Sequence, residues 1–175
     1  MVRGTVNIQA LEVRQQIYEF IQHYPGLHFR EIQRRLGIAV GTLQYHVRHL
    51  EEEKLIIGRK DGEYTRYYTV GVVTERDRFL LQFLRQRPMR HALLFLLEKK
   101  KVNHKQISLK IGLSPATTSW YLAKLVDANL LGKKRDGREV FYHLLNPKEM
   151  SRVLLTYRAS FLDEVVDRFA AIFEK

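Results

Sequence analysis

The chain has 175 residues, no cysteine, and 30 Lys and Arg residues against 19 Asp and Glu, for a formal net charge of +11. The missing cysteines exclude disulfides and thiolate metal sites, and no apolar run approaches the roughly 18 residues that a membrane helix needs. The charge favours a polyanionic partner, because neutralised phosphates release counterions. The first ten residues lack the apolar core of a signal peptide, so we expect a cytoplasmic protein without a membrane partner.

The first part of the chain has the pattern of three helices followed by a β-hairpin. Apolar residues recur at helical spacing, and Pro25-Gly26 ends the first helix. Gly37 ends the second helix, at a position where glycine adopts the left-handed conformation most easily. Asp61-Gly62 suits a tight turn between two paired strands. The predicted bounds are residues 11–24, 29–36 and 40–54 for the helices, and 55–59 and 64–70 for the strands.

The same order of elements returns after a short connection. Thr74 begins a capping-box pattern that predicts a linker helix, and Ser114-Pro115 supplies the cap and first-turn proline of another helix. Asn146-Pro147 starts a last helix in the same way, which we expect to reach Phe173. The predicted bounds in this second part are residues 89–101 and 104–111 for its first two helices, and 131–144 for a hairpin about Asp136-Gly137.

An internal repeat underlies this recurrence. Residues 28–68 and 103–143 align without a gap at an offset of 75. Helix, short turn, helix and hairpin are the parts of a winged helix-turn-helix, whose second helix enters the DNA major groove. The matched pairs fall on turn glycines and apolar anchors and include Ile32/Ile107, Gly37/Gly112, Thr42/Thr117, Leu50/Leu125, Leu55/Leu130, Asp61/Asp136, Gly62/Gly137 and Tyr67/Tyr142.

The expected fold class is mainly α with small β-hairpins (α+β). It comprises two tandem winged helix-turn-helix domains and a long C-terminal helix. We call the two domains module one and module two. The predicted boundaries are residues 1–73 for module one, 74–87 for the linker helix, 88–145 for module two, and 146–175 for a C-terminal dimerisation helix.

The third helix of each module carries the candidate base-reading residues. Major-groove readout needs side chains that match base-edge donors and acceptors. Module two offers fewer such groups, because Ala123 stands where module one has Arg48. Trp120 is either a core residue or an exposed one, and its repeat partner Tyr45 favours exposure. The candidates are Thr42, Gln44, Tyr45 and Arg48 in module one, and Thr117, Ser119 and Trp120 in module two.

The two hairpins carry cations that suit the DNA backbone. Such contacts add affinity with little sequence information. Residues 75–146 hold fifteen Lys and Arg against six Asp and Glu, whereas residues 1–74 hold ten against eight. We therefore predict that module one specifies the sequence and module two grips the backbone. The predicted wing residues are Arg59, Lys60 and Arg66 in module one, and Lys133, Lys134, Arg135 and Arg138 in module two.

The segments His28–Gly37, Gly41–Glu53 and Leu55-Ile56 resemble the winged-helix domain of archaeal transcriptional regulators related to the ArsR and MarR families. Residues 111–115 and 125–131 are similar to the same type. The resemblance implies a DNA-binding fold, with base-reading and wing positions on the module-one residues named above. Two departures stand out: Ala39 replaces the usual N-capping Ser or Thr, and the ArsR-type cysteine ligands are missing.

The C-terminal segment predicts self-association. It is charge-neutral, with five Lys and Arg against five Asp and Glu in residues 147–175. An apolar stripe this wide needs a partner, and a homodimer would place two modules on paired half-sites. The alternative is that the helix folds back on the apolar face of the linker helix. The stripe consists of Leu154, Tyr157, Phe161, Val165, Phe169 and Ile172.

Other function classes receive less support from the residues. His46, His49 and Glu53 have a spacing that could approach a metal, but no fourth ligand follows, so we expect no metal and no cofactor. No nucleophile and base set or phosphate-binding glycine loop is present, so we expect no catalysis. The predicted function is a sequence-specific, double-stranded-DNA-binding transcription regulator. The alternative is an adaptor that docks on a basal transcription factor, RNA polymerase or chromosome-organising machinery.

Overall fold

The computed structural model describes residues 8–172, which fall into two compact units divided between Gln82 and Phe83. Each unit contains one winged helix-turn-helix with a small antiparallel sheet, so the predicted α+β class is confirmed. The first unit contains α1 (Ile8–His23), α2 (Phe29–Leu36), α3 (Val40–Glu52), β1 (Ile56–Asp61) and β2 (Tyr64–Thr69), and α4 (Glu75–Leu84) runs past the division.

The core of the first unit lies under α2 and α3. Helix α1 stops before Pro25-Gly26, and Gly26 adopts a φ of +84° close to the Tyr68 ring. A Cβ at Gly26 would lie 3.1 Å from that ring, a tight contact, and the positive φ itself favours glycine at this position. The buried side chains come from the apolar faces of the three helices and include Ile17, Ile21, Ile32, Leu43, Val47 and Leu50.

The first wing is a two-stranded antiparallel hairpin. Asp61 pairs with Tyr64, which leaves Gly62 and Glu63 as the turn, and Gly62 has the positive φ that the turn requires. The chain before α2 runs beside β2, because the Tyr67 amide donates to the Leu27 carbonyl at 3.1 Å. The hairpin is thereby tied to the entrance of the helix-turn-helix.

The second unit repeats this plan with a third strand. Its elements are α5 (Arg87–Lys99), β3 (Val102–Asn103), α6 (His104–Ile111), α7 (Pro115–Asp127), β4 (Leu131–Asp136) and β5 (Glu139–Leu144), with strand order β3-β5-β4. Helix α5 begins at Arg87 rather than at the predicted Met89, since Pro88 fits the first turn of a helix. Asn103 and Gln106 form a capping box at the start of α6.

The prediction of one long C-terminal helix is wrong. The segment forms α8 (Pro147–Thr156), a 3₁₀ turn (Arg158–Ser160) and α9 (Glu164–Ala170), and Leu162 takes a positive φ of 50° between the last two. The Asp163 carboxylate caps α9 through the Val165 amide at 3.0 Å and also accepts from Arg90 Nε at 2.8 Å. This ion pair with α5 starts a new helix where the sequence pattern predicts a continuous one.

The break also changes the expected dimerisation stripe. Leu154, Phe161 and Phe169 are buried inside the second unit, and the Arg85 and Arg90 guanidiniums lie over the Phe161 ring. These three side chains are therefore not available to a partner chain. Tyr157 and Val165 are half-buried, Ile172 is exposed, and Phe173 lies outside the described residues.

Candidate nucleic-acid interface

The turn between α2 and α3 is held by local hydrogen bonds. Gly37 adopts the left-handed conformation, with φ 65° and ψ 21°, and its amide donates to the Gln33 carbonyl at 3.0 Å. The Gln33 side-chain amide donates to the Ile38 carbonyl at 2.8 Å, which ties the turn to α2. Ala39 offers α3 no side-chain cap, as the sequence indicates. The orientation of α3 thus depends on the turn and on the core beneath it.

Helix α3 turns all four predicted base-reading residues to the exterior. Leu43, Val47 and Leu50 are buried, which places the intervening polar positions on the opposite face. The Arg48 side chain is 82% exposed and pairs with Glu52 at 2.9 Å, a contact that DNA would have to displace. The side chains of Thr42 and Gln44 have no hydrogen-bond partner within residues 8–172. The exposed set is Thr42, Gln44, Tyr45 and Arg48.

The first wing presents two cations rather than the three predicted. Arg59 and Lys60 are exposed, and Arg59 pairs with Glu75 at 2.8 Å. Arg66 is buried, which corrects its assignment as a backbone contact. Its guanidinium binds the Asp61 carboxylate and donates to the Gly26 carbonyl at 2.9 Å. Arg66 therefore joins the wing to the chain before α2 and is not available to phosphate.

Helix α7 of module two presents a different face. Its N-cap, Ser114, accepts from the Thr117 amide at 3.2 Å and also bonds the Thr117 hydroxyl at 2.8 Å. The Ser119 hydroxyl lies 2.9 Å from His104 Nε2. Both predicted readers are exposed, but their polar groups already have partners within the module. Trp120 is 52% exposed, which confirms the expectation that it lies outside the core.

The second wing is the more cationic of the two hairpins. Its four predicted cations are all exposed, and Arg135 Nε makes only a long hydrogen bond to the Gly137 carbonyl at 3.3 Å. Lys101 partly neutralises the Asp136 carboxylate beside them, at 3.4 Å. A row of exposed ammonium and guanidinium groups is suited to a phosphate backbone. The four residues are Lys133, Lys134, Arg135 and Arg138.

The two histidines of α3 face inward. His46 is buried and its Nδ1 has no hydrogen-bond partner among the described residues, and the same holds for His49 Nδ1. Burial lowers the pKa of His46, and the nearby Arg14 and His49 lower it further. Within residues 8–172, no group of three or more His, Asp and Glu residues is placed to hold a metal ion.

Two contacts on α7 and on the first wing were not predicted from the sequence. The Lys124 ammonium lies 3.8 Å from the centroid of the Trp120 ring, and their four-residue spacing on a helix could have indicated this contact. Glu75 binds Arg59 of the wing, but the two residues are 16 positions apart and belong to different elements. No local pattern connects that pair.

Two family models match the chain in tandem. Residues 11–81 match a family described as an N-terminal HTH domain, and residues 89–131 match one described as winged helix-turn-helix DNA-binding. These segments contain α3 and α7 with their preceding turns. The chain is a tandem winged helix-turn-helix protein. The predicted pair of tandem winged helix-turn-helix domains is therefore confirmed.

A curated relative supports the same assignment. It is a protein of Methanocaldococcus jannaschii, described as an uncharacterized HTH-type transcriptional regulator, and it is 30% identical over 133 residues. The aligned part is 76% of this tandem winged-helix chain but only 33% of the relative. The chain thus spans about a third of the length of that regulator.

Solved structures resemble part of this tandem winged-helix chain. HlyU from Vibrio cholerae is 24% identical, with a TM-score of 0.41, over 46% of this chain and 86% of its own. The transcriptional repressor BigR from Xylella fastidiosa is 22% identical, with a TM-score of 0.41, over 46% of this chain and 81% of its own. Across residues 8–172, no helix combines the length and apolar character that a membrane crossing requires.

Proposed function

We propose that this protein is a sequence-specific regulator of transcription that binds double-stranded DNA, with no catalytic step. Module one reads base edges in the major groove with α3, and module two grips the backbone with its wing. The two helix-turn-helix matches and the archaeal relative support this assignment.

The outward face of α3 is the observation that carries the proposal. Arg can bind guanine O6 and N7, and Gln can bind adenine N6 and N7, so Arg48 and Gln44 are suited to base readout. Both side chains are exposed on the helix that follows the Gly37 turn. Thr42 and Tyr45 add a methyl group and a ring edge on the same face. The α7 face offers no comparable set, because its hydroxyls are already engaged.

Selection of bound duplexes from a random pool tests this function. We expect the full chain to enrich a defined motif, and the Gln44→Ala, Arg48→Ala double variant to lose that enrichment while it still binds DNA. The log of the affinity should fall linearly with the log of the salt concentration. A chain that enriches no motif, or whose DNA binding does not depend on salt, contradicts the proposal.

A protein-docking role for module two is the second candidate. Leu109 on α6 is 75% exposed, and Trp120 on α7 is 52% exposed. Large apolar side chains on a helix-turn-helix surface suit a protein partner better than phosphate. The candidate partners are a basal transcription factor or RNA polymerase. Leu109→Ser should then impair transcriptional output without any change in DNA affinity, whereas a variant with normal output argues against this role.

A homodimer is a further part of the proposal, on a smaller surface than the sequence predicts. Leu162 and Ile172 are about two-thirds exposed, at 68% and 64%, and they are the exposed large apolar side chains of residues 146–172. Light scattering on the full chain should give the dimer mass, and Leu162→Ser should reduce it to the monomer. A wild-type monomer removes dimerisation from the proposal.

A further inference from the structure

A cleft lies between the first wing and the start of α4, inside the first unit. Its walls include Arg59 and Lys60 from β1 and Glu75, Arg78 and Phe79 from α4, and its volume is about 200 Å³. A cavity that holds one water needs only roughly 10–15 Å³, and drug-sized ligands occupy cavities of about 300–1,000 Å³. The cleft therefore has the size for a small solute.

The charges in the cleft do not balance. Arg66 also borders it, but this guanidinium is already bound to Asp61. The remaining charged groups that line the cleft are one carboxylate, Glu75, and three cations, Arg59, Lys60 and Arg78. A surplus of positive charge within a partly enclosed space attracts an anion more strongly than an open surface does.

Glu75 shows where an oxyanion fits. Its Oε1 atom accepts from Arg59 Nη2 at 2.8 Å and from Arg78 Nη1 at 2.8 Å, so one oxygen lies between two guanidiniums. The Glu75 side chain is 71% exposed, whereas Arg78 is only 11% exposed. An exposed ion pair contributes little stability, so an external oxyanion could replace this carboxylate at small cost.

Arg78 also holds an unused donor. Its Nε is buried and has no hydrogen-bond partner among the described residues. A buried donor without a partner is rare, and it favours any ligand that can accept from it. Guanidinium groups bind carboxylates and phosphates through two parallel hydrogen bonds, and Nη2 is the nitrogen that forms such a pair with Nε, so an anion on this side of Arg78 uses the Nε–H that lacks a partner in the described part of the chain.

We propose that the cleft between the first wing and α4 binds a small free oxyanion, a carboxylate or a phosphate compound, which acts as an effector. The ligand replaces Glu75 on Arg59 and Arg78. Because the anion must hold Arg59 more strongly than Glu75 does in order to replace it, the bound anion withdraws this exposed wing cation from the DNA backbone. This regulatory consequence rests on the proposed DNA-binding function, whereas anion binding itself does not. The coupling is reciprocal, so a bound duplex weakens anion binding to the same extent.

NMR of the ¹⁵N-labelled full chain tests the site without DNA. Inorganic phosphate is titrated against chloride at constant ionic strength, and the Arg side-chain Nε–H signals are followed. We expect a saturable shift of the Arg78 signal in the wild type. Glu75→Gln removes the internal competitor and should tighten binding by up to about fivefold.

The remaining variants locate the site. Arg78→Gln or Arg59→Gln should each weaken phosphate binding by about tenfold, as expected for the loss of a charge-assisted contact. Arg59 is half exposed, so its variant keeps the fold even if Arg78→Gln does not. Glu52→Gln and Arg34→Gln remove the same charges from exposed ion pairs outside the cleft and should leave phosphate binding unchanged.

The outcomes separate this inference from the proposed function. Saturable phosphate binding by a chain that binds no duplex supports the anion site and contradicts the DNA-binding proposal. An Arg78 signal that shifts only when duplex is added identifies the oxyanion as backbone phosphate and overturns the effector proposal. A phosphate response that is unchanged in Arg59→Gln, or that equals the response of the Glu52→Gln and Arg34→Gln controls in all cleft variants, also overturns it.

Discussion

Module one and module two share a buried plan but differ on the surfaces that would meet DNA. Both turn glycines, Gly37 and Gly112, are left-handed, and the apolar anchors of α3 and α7 are buried alike. On the outward face, module one presents Arg48 where module two presents Ala123. The wings differ in the opposite sense, because module two exposes four cations and module one turns Arg66 inward. The comparison teaches that the core sets the fold, while the exposed positions are free to differ between the two copies.

Neutralising the second wing should have the largest effect. In the variant Lys133→Gln, Lys134→Gln, Arg138→Gln, three phosphate contacts are lost, so the slope of log affinity against log salt should fall by about 3. The same relation predicts a loss of about 100-fold in affinity at 0.15 M salt for every duplex. Fluorescence anisotropy with selected and random duplexes measures both quantities. The variant Arg59→Gln, Lys60→Gln removes two cations and should lose less, and a loss as large as that from the three cations of the second wing would contradict the comparison.

Removing Arg66 should destabilise module one. Arg66→Ala leaves the Asp61 carboxylate and the Gly26 carbonyl without their buried donor, and the loss of hydrogen bonds to a charged group costs about 1.5–3 kcal/mol. Hydrogen exchange of amides in α2 and β2 should show this loss of protection. Arg138→Ala, an exposed wing cation of module two, should change stability by less than about 0.5 kcal/mol. If Arg66→Ala lowers DNA affinity with no loss of protection, Arg66 contacts DNA after all.

Variants at the equivalent positions Arg48 and Ala123 test which module reads the DNA sequence. Arg48→Ala should lose about 1–3 kcal/mol of discrimination at one or two base pairs of the selected site, with little change on random duplexes. Ala123→Arg places the same group at the equivalent position of module two and should add affinity without restoring that discrimination. Competition binding with single-base variants of the site measures both effects. Equal losses from Arg48→Ala on selected and random duplexes count against specific reading by α3.

Acidification should destabilise module one modestly, through the buried face of α3. Burial, with Arg14 and His49 nearby, lowers the pKa of His46 below its ordinary value of 6.5, so the folded state binds fewer protons than the unfolded state. The free energy of unfolding therefore falls as the pH drops below about 6.5. His28 contributes in the same direction, because burial and Arg66 lower its pKa as well.

Hydrogen exchange of α3 amides between pH 7.5 and 5.5 measures this dependence. His46→Gln should remove the part of the pH dependence that is due to His46, and the part due to His28 should remain. A wild-type protein whose α3 protection does not change over this range would show that His46 does not distinguish the folded from the unfolded state.

Much of the fold follows from local sequence, because its causes lie within one or two helical turns. Apolar spacing, the turn glycines and the Asp-Gly hairpins predict the two modules, and Ser114 caps α7 as its position indicates. The exposed face of α3 follows from the same periodicity, because Leu43, Val47 and Leu50 fix which side is buried.

The remaining features depend on partners that are distant in the chain. The sequence alone predicts that Arg66 is an exposed wing cation. In the structure, its guanidinium donates to the carbonyl of Gly26, 40 residues earlier. The sequence alone predicts one helix in the C-terminal segment. In the structure, this helix is interrupted where Asp163 pairs with Arg90, 73 residues away. Glu75 forms its ion pair with Arg59 across 16 residues. Sequence alone determined which residues are apolar, which turns are possible and which modules repeat. Tertiary structure decided which charged side chains are paired within the protein, because an ion pair forms only where folding brings its two members together.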